Sequence, residues 1–254
     1  MRSARAVARE SCLSQGTAVV VGVGAETGLG AGLARRFARE GLRVVIAGRT
    51  EERLRAAAAS IRSPGGGVVV KVANAAREAD VAALFDEAAE ENDLELVVYN
   101  VGSNFAAPAL ETETKLFEDL WRQNALGGFL VGREAVRRFA PRQRGTILFT
   151  GASASLRARP PFMGFASAKA ALRAVAQGLA REFGPHGVHV AHIVIDGVIQ
   201  GEYAAAKFPD YVRSKGENGL LAVDAIADAY WALHRQPASA WTHELDLRPF
   251  KEPF

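Results

Sequence analysis

The chain is poor in the residues that staple or anchor proteins. One cysteine in 254 residues leaves Cys12 without a disulfide partner inside the molecule, which favours a reducing, cytoplasmic setting. No apolar run approaches the ~20 residues of a membrane helix. Residues 94–99 and 188–195 are far shorter and include glutamate or histidine. Residues 1–15 carry Arg2, Arg5 and Arg9 without the apolar stretch of a secretory signal, so a flexible N-terminal arm is expected there. One-sided charge is also missing. The 31 Lys and Arg face 28 Asp and Glu with signs alternating along the chain, so neither nucleic acid nor membrane is expected as a partner. No composition shift, proline-rich linker or internal repeat divides residues 16–254, which read as a single domain.

What is present is apolar mass and rhythm. Apolar residues make up 49% of the chain, and a chain of this length can bury about three quarters of its unfolded surface. Short β-branched runs at 17–23, 43–47, 67–72, 94–100, 146–150, 188–195 and, more weakly, 242–247 alternate with helical spacing. Leu29, Leu33 and Phe37 form one stripe, halted by Gly41, and Thr50 caps the next helix ahead of Glu51 and Glu52. Val81, Leu84, Phe85 and Ala88 form a third stripe. Leu116, Leu120 and Trp121 open a long fourth, and Leu172, Val175, Leu179 and Phe183 a fifth, ended by Gly184-Pro185. The expectation is an α/β, Rossmann-like, doubly wound parallel sheet of about seven strands flanked by helices. Residues 198–222 read as a substrate lid, irregular over 200–222 with Pro209, Gly216 and Gly219.

After the first strand, Gly24, Gly28 and Gly30 form a GxxxGxG turn that runs into a helix. Backbone N–H groups and a helix N-terminus in such a turn suit a pyrophosphate, and the strand before and amphipathic helix after it favour a dinucleotide site over a merely tight turn. The second strand ends in Ala47-Gly48-Arg49-Thr50, without an acid for a ribose diol and with an arginine for a 2′-phosphate. NADP is therefore expected over NAD, the alternative for Arg49 being a solvated residue beside a cap. Glu26, beside the phosphate turn, is expected to face solvent.

From Thr17 onward the chain resembles the short-chain dehydrogenase/reductase family. The resemblance assigns Gly24, Thr27, Gly28, Leu29 and Gly30 to the cofactor turn, with Val23 where a threonine is usual. Asn100, Val101 and Gly102 match the segment lining the cofactor cleft, and Asn74 falls near the adenine position. Asn124 matches the asparagine that carries a proton-relay water, and Lys169 the active-site lysine that also holds the nicotinamide ribose. The family's Tyr-x-x-x-Lys reads Phe165-Ala166-Ser167-Ala168-Lys169, so Phe165 keeps a ring and lacks a hydroxyl, which leaves Lys169 only the ribose role. The catalytic serine position falls on Ala152, with Ser153 next and Ser155 three residues on. The Pro-Gly after the sixth strand is Asp196-Gly197, Gly201 replaces a threonine, and the backbone of Ile199 is placed for the nicotinamide carboxamide.

A replacement acid is sought in Tyr203 on the lid, against its reading as a partly packed lid aromatic, and in Asp196, against its reading as a turn carboxylate. Ser153 is placed either to orient a substrate oxygen or to satisfy backbone. His186, His189 and His192 are spaced by three, but His189 and His192 would face opposite sides of a strand, so no metal site is expected. His234 and His243 are read as surface or interface residues. Trp121, Phe129 and Phe139 belong either to core or, as the resemblance implies, to the seam of a homodimer or homotetramer. Three functions remain open. They are an NAD(P)(H)-dependent oxidoreductase on a small carbonyl or alcohol with a non-standard proton donor, a cofactor-dependent non-redox enzyme (dehydratase, isomerase or cyclase), and a silent dinucleotide-binding protein.

Overall fold

The rhythm of the chain becomes seven parallel strands: β1 (Thr17–Val21), β2 (Arg43–Gly48), β3 (Val68–Val72), β4 (Leu94–Tyr99), β5 (Thr146–Thr150), β6 (His189–Ile195) and β7 (Glu244–Leu247). They pair in the order β3-β2-β1-β4-β5-β6-β7. The computed structural model describes residues 16–61, 67–89, 93–102 and 104–253; the expected N-terminal arm and Cys12 lie outside the described residues.

Strand side chains alternate between two cores because successive residues point to opposite faces. Ala18 and Val20 of β1 join one cluster with Leu33 and Phe37 of α1 (Leu29–Arg39), Leu54 of α2 (Glu51–Ser60), and Ile226 and Tyr230 of α9 (Val223–His234). Val19 and Val21 join the other with Leu84 and Phe85 of α3 (Glu78–Ala89), Val131 and Phe139 of α5 (Gly127–Phe139), and Leu172 of α6 (Met163–Phe183). Helices thus cover both faces, and the central strands are apolar on each side as such a sandwich requires. Phe37 is fully buried against Trp231 at 6.3 Å between ring centroids. Its truncation to alanine removes about 3–5 kcal/mol of stability.

The structure departs from the sequence reading at several points. β1 stops at Val21 and not Val23, because Gly22 turns to φ +97°, where a side-chain carbon would stand 2.7 Å from the carbonyl carbon of Asn100. Residues 200–222 are irregular only in part. They hold α7 (Glu202–Lys207) and α8 (Pro209–Lys215), in which Pro209 begins a helix and Gly216, at φ +61°, ends it. The long fourth helix is interrupted. After α4 (Thr114–Trp121) comes one π turn, Arg122–Leu126, before α5. Phe139 is core, whereas Trp121 and Phe129 are exposed. His234 is not a free surface residue: its Nδ1 lies 3.0 Å from Thr146 Oγ1, and burial pushes its imidazole down to about 4. His189 and His192 do take opposite faces, and no cluster of His, Cys, Asp or Glu suited to a metal occurs among the described residues. No described helix is long and apolar enough to cross a membrane.

Candidate active site

Strand order reverses between β1 and β4, and a crevice opens at the carboxyl ends of these strands, where ligands bind in open α/β sheets. It has two lobes that share Asn100, Val101 and Gly102. The seam is tied by Asn100, whose N–H donates to Val21 O at 2.8 Å and whose Nδ2 donates to Gly22 O at 3.1 Å.

The first lobe, about 250 Å3, is lined by Gly22, Val23 and Gly24, by Arg49, Thr50 and Arg53, and by Asn74 to Ala76. The glycines of the turn serve different ends. A side-chain carbon at Gly24 would meet nothing within 4 Å and would occupy the crevice itself. One at Gly30 would stand 2.8 Å from Gly22 O, so Gly30 lets α1 approach β1. Gly28, in extended conformation, is the N-cap of α1, and Thr27 is exposed at the rim beside the lid glycine Gly201. Glu26 is exposed, and its carbonyl accepts from Arg35 at 2.8 Å. Thr50 caps α2 by position alone, without a side-chain bond to the helix. Among the described residues no carboxylate lines this lobe, and the guanidiniums of Arg49 and Arg53 have no ion-pair partner. Asn74 closes a tight turn, its Oδ1 accepting from Ala76 N–H at 3.0 Å while its own N–H donates to Asp80 at 2.9 Å.

The second lobe, about 480 Å3, is lined by Leu29, Thr150 to Ser153, Phe165, Lys169 and the start of the lid at Gly197 to Ile199. Lys169, only 3% exposed, donates to Thr150 O at 2.9 Å and Val101 O at 3.2 Å. Burial among apolar groups pushes its ammonium down to about 7. Its Nζ lies 5.8 Å from the centre of the Phe165 ring one helical turn earlier. Gly102 keeps the space beside it clear, since a side-chain carbon there would stand 3.1 Å from Nζ and 3.6 Å from Asn124 Oδ1.

Asn124 reaches this point through the π turn. Tyr99, at the tip of β4, donates its hydroxyl to Gln123 O beneath a helix that Gly127 leaves bare, since a side-chain carbon there would overlap the Tyr99 hydroxyl at 2.3 Å. Gly127 N–H therefore donates five residues back to Arg122 O, and Asn124 Nδ2 donates to Leu120 O at 2.8 Å. Asn124 Oδ1 is left buried without a partner. Of the two serines, Ser155 accepts from Ala152 N–H at 3.1 Å and is structural, whereas Ser153 lines the lobe.

The far wall holds groups that sequence reasoning missed or misplaced. Asp196, 4% exposed, is bonded by Arg157 at 3.2 and 3.3 Å and by Arg248. It is thus neither a free acid nor a turn carboxylate held by N–H groups. Tyr203 is 63% exposed, accepts from Lys207 at 2.9 Å and lines neither lobe, which removes it as a replacement acid in this conformation and corrects its reading as partly packed. Ile199 bridges Leu221 through its neighbours, with Gln200 N–H to Leu221 O at 2.8 Å and Leu221 N–H to Val198 O at 3.0 Å. This turns Ile199's own N–H and C=O away from Leu221. Arg157, Arg159 and Glu252 also line the lobe, and no local pattern around them had marked them as site residues.

A doubly wound sheet with a glycine turn and a switch-point crevice defines a dinucleotide-type α/β protein. Comparison with known proteins narrows the class. The short chain dehydrogenase profile matches residues 18–211. The gluconate 5-dehydrogenase of Gluconobacter oxydans is 30% identical over 223 residues, covering 86% of this chain and 79% of its own. A crystallised short-chain dehydrogenase from Rhodopseudomonas palustris is 38% identical with a TM-score of 0.78, over 92% of this chain and 99% of its own. The NADPH-bound short chain oxidoreductase of Pseudomonas aeruginosa PAO1, described as containing an atypical catalytic center, shares the fold at 21% identity with a TM-score of 0.83, over 93% and 96% of the two chains. The chain belongs to the short-chain dehydrogenase family, whose members bind NAD(P).

Proposed function

We propose that the protein is an NADP(H)-dependent oxidoreductase of a small carbonyl or alcohol, in which Lys169 performs the proton transfer that the family assigns to a tyrosine. The supporting observation is the Phe165–Lys169 pair. Phe165 stands at the family's tyrosine position without a hydroxyl, and the neighbouring amine is pushed by burial to about 7. A proton donor titrating near neutrality meets the requirement of general acid catalysis. An ammonium has three donors, and two of those on Lys169 are engaged by Val101 O and Thr150 O. The third is free for a substrate oxygen, reached directly or through one water.

The first lobe fits a 2′-phosphorylated dinucleotide. The space over Gly24 is clear, Arg49 after β2 and Arg53 in the first turn of α2 have no ion-pair partner among the described residues, and no described carboxylate competes with a phosphate there. When bound, the nicotinamide would supply or accept the hydride. The chain's own groups do the remaining work. Gly24, Thr27, Gly28, Leu29 and Gly30 shape the phosphate turn. Arg49 and Asn74 serve the adenosine end, and Asn100, Val101 and Gly102 the cleft floor. Gly197 and Ile199 close on the carboxamide end. Ser153 orients the substrate oxygen. Asn124 Oδ1, buried and unpartnered, accepts from a water that returns a proton to Lys169. Relatives named for gluconate and for a 3β-hydroxysteroid offer no common substrate to carry over. Phe117, Trp121 and Phe129, exposed on α4 and α5, are proposed as the face through which copies of the chain pair.

The test is a titration with NADPH and NADH, then NADPH oxidation against a panel of carbonyls across pH. NADPH is expected to bind more tightly, and kcat for reduction to fall as pH rises through about 7, because the step uses protonated Lys169. Binding of neither dinucleotide overturns the reading. Turnover without net NADPH change replaces it with a non-redox reaction. A kcat that ignores pH near 7 and survives Lys169→Met removes the lysine role alone.

A further inference from the structure

The charges around the second lobe do not cancel. Its wall contributes Arg157, Arg159 and Lys169 against Asp196 and Glu252. Each carboxylate already has its cation: Asp196 is held by Arg157 and Arg248, and Glu252 by Lys215 at 2.8 Å. Arg159 has no ion-pair or side-chain hydrogen-bond partner among the described residues. It nevertheless lines the second lobe, a side pocket of about 250 Å3 shared with Ser153, Arg157, Pro160, Phe162 and Phe165, and a third hollow beyond Pro160 and Pro161. Arg159, itself exposed, borders three adjoining hollows, so its charge is open to a ligand. The side pocket is otherwise largely apolar, with the Phe162 and Phe165 rings and Pro160 as walls.

We infer that the substrate is an oxo acid or hydroxy acid with an apolar body, its carboxylate read by Arg159. This rests on the carbonyl–alcohol reading above and adds the charge and shape of the molecule. The reacting oxygen lies toward Lys169 and Ser153, which face the second lobe, and the apolar body lies against Phe162 and Phe165. The carboxylate meets the guanidinium fork, whose two parallel N–H groups match a carboxylate in a way an ammonium does not. Behind it, Asp196 and Asp246 balance Arg157 and Arg248, so this wall does not repel the acid.

The probes are benzoylformate, an aromatic 2-oxo acid, and its methyl ester, which keeps the ring and the ketone and loses the charge. Each is titrated calorimetrically into the full-length protein saturated with NADP+, which cannot reduce either probe, so binding is read without turnover. The acid is expected to bind at least about tenfold more tightly than the ester, the size of one charge-assisted contact in a partly solvated site. Arg159→Gln should abolish that preference while leaving ester affinity and melting temperature unchanged, and Arg159→Lys should retain part of it. Equal affinities for acid and ester, failure of both to bind, or a preference that survives Arg159→Gln each overturn the inference. Failure of NADP+ to saturate the protein, read in a fluorescence titration with NADP+ beforehand, instead overturns the cofactor reading on which it rests.

Discussion

The two lobes of the crevice share a floor at Asn100 to Gly102 but are assembled differently. The first is walled by the carboxyl ends of β1, β2 and β3 with the turns that follow them, and its charged groups are the exposed cations Arg49 and Arg53. The second draws side chains from β5, α6, the β6 end and the C-terminal segment, and among the described residues every charge in it but Arg159 is engaged by a partner. One lobe is suited to a constant ligand held by amides. The other is suited to chemistry, where burial sets the protonation of Lys169.

The sharpest way to break this contrast is to remove the buried amine. Lys169→Met should lower kcat for NADPH oxidation by about 10² to 10⁴ and flatten the pH profile near 7. The opposite change, Phe165→Tyr, should raise the rate by roughly 10² by restoring a second acid, measured with the same carbonyl panel. At the other lobe, Arg49→Ala with Arg53→Ala should weaken NADPH by about tenfold or more and leave NADH unchanged in a fluorescence titration. Within the turn, Gly24→Ala should weaken the dinucleotide at unchanged urea midpoint. Gly30→Ala should cost about 1–3 kcal/mol of stability, because its new carbon meets Gly22 O. The smallest effect concerns pH. Folding lowers the Lys169 pKa from 10.5 to about 7, so between those values the unfolded chain holds the proton more firmly and stability rises with pH. The slope from this one group is at most about 1.4 kcal/mol per pH unit, and urea titrations of Lys169→Met should lack it.

The contrast also explains what could be read in advance. Strand rhythm, the glycine turn and Arg49 are local patterns: the seven strands occur in the expected order, with β1 two residues shorter, and Gly24 and Arg49 line the first lobe. Asn124 and Lys169 follow from spacing within a family pattern, and the fold brings both beside Gly102. Their partners do not follow from it, because the π turn depends on Tyr99 fitting under Gly127, two residues 28 apart in the chain. The same holds for Asp196. Its carboxylate is bonded by Arg157 and by Arg248, 39 and 52 residues away, and neither pairing leaves a local trace. Tyr203 was attractive because it sits on the segment after β6, yet α7 turns it outward to Lys207. Side-chain direction on a short surface helix is set by what the helix packs against, which spacing alone does not encode.

The strand order carries a practical consequence. A backbone cut between Ala89 and Asp93 would divide the chain into a piece holding β1 to β3 and a piece holding β4 to β7, each a contiguous block of the sheet. The pieces would rejoin along the single β1–β4 ladder and the α1–α9 and α3–α5 packings. Since Asn100 comes from one fragment and Gly22 from the other, a ligand bridging both would act as the clasp, and the rejoined halves would report its presence by complementation.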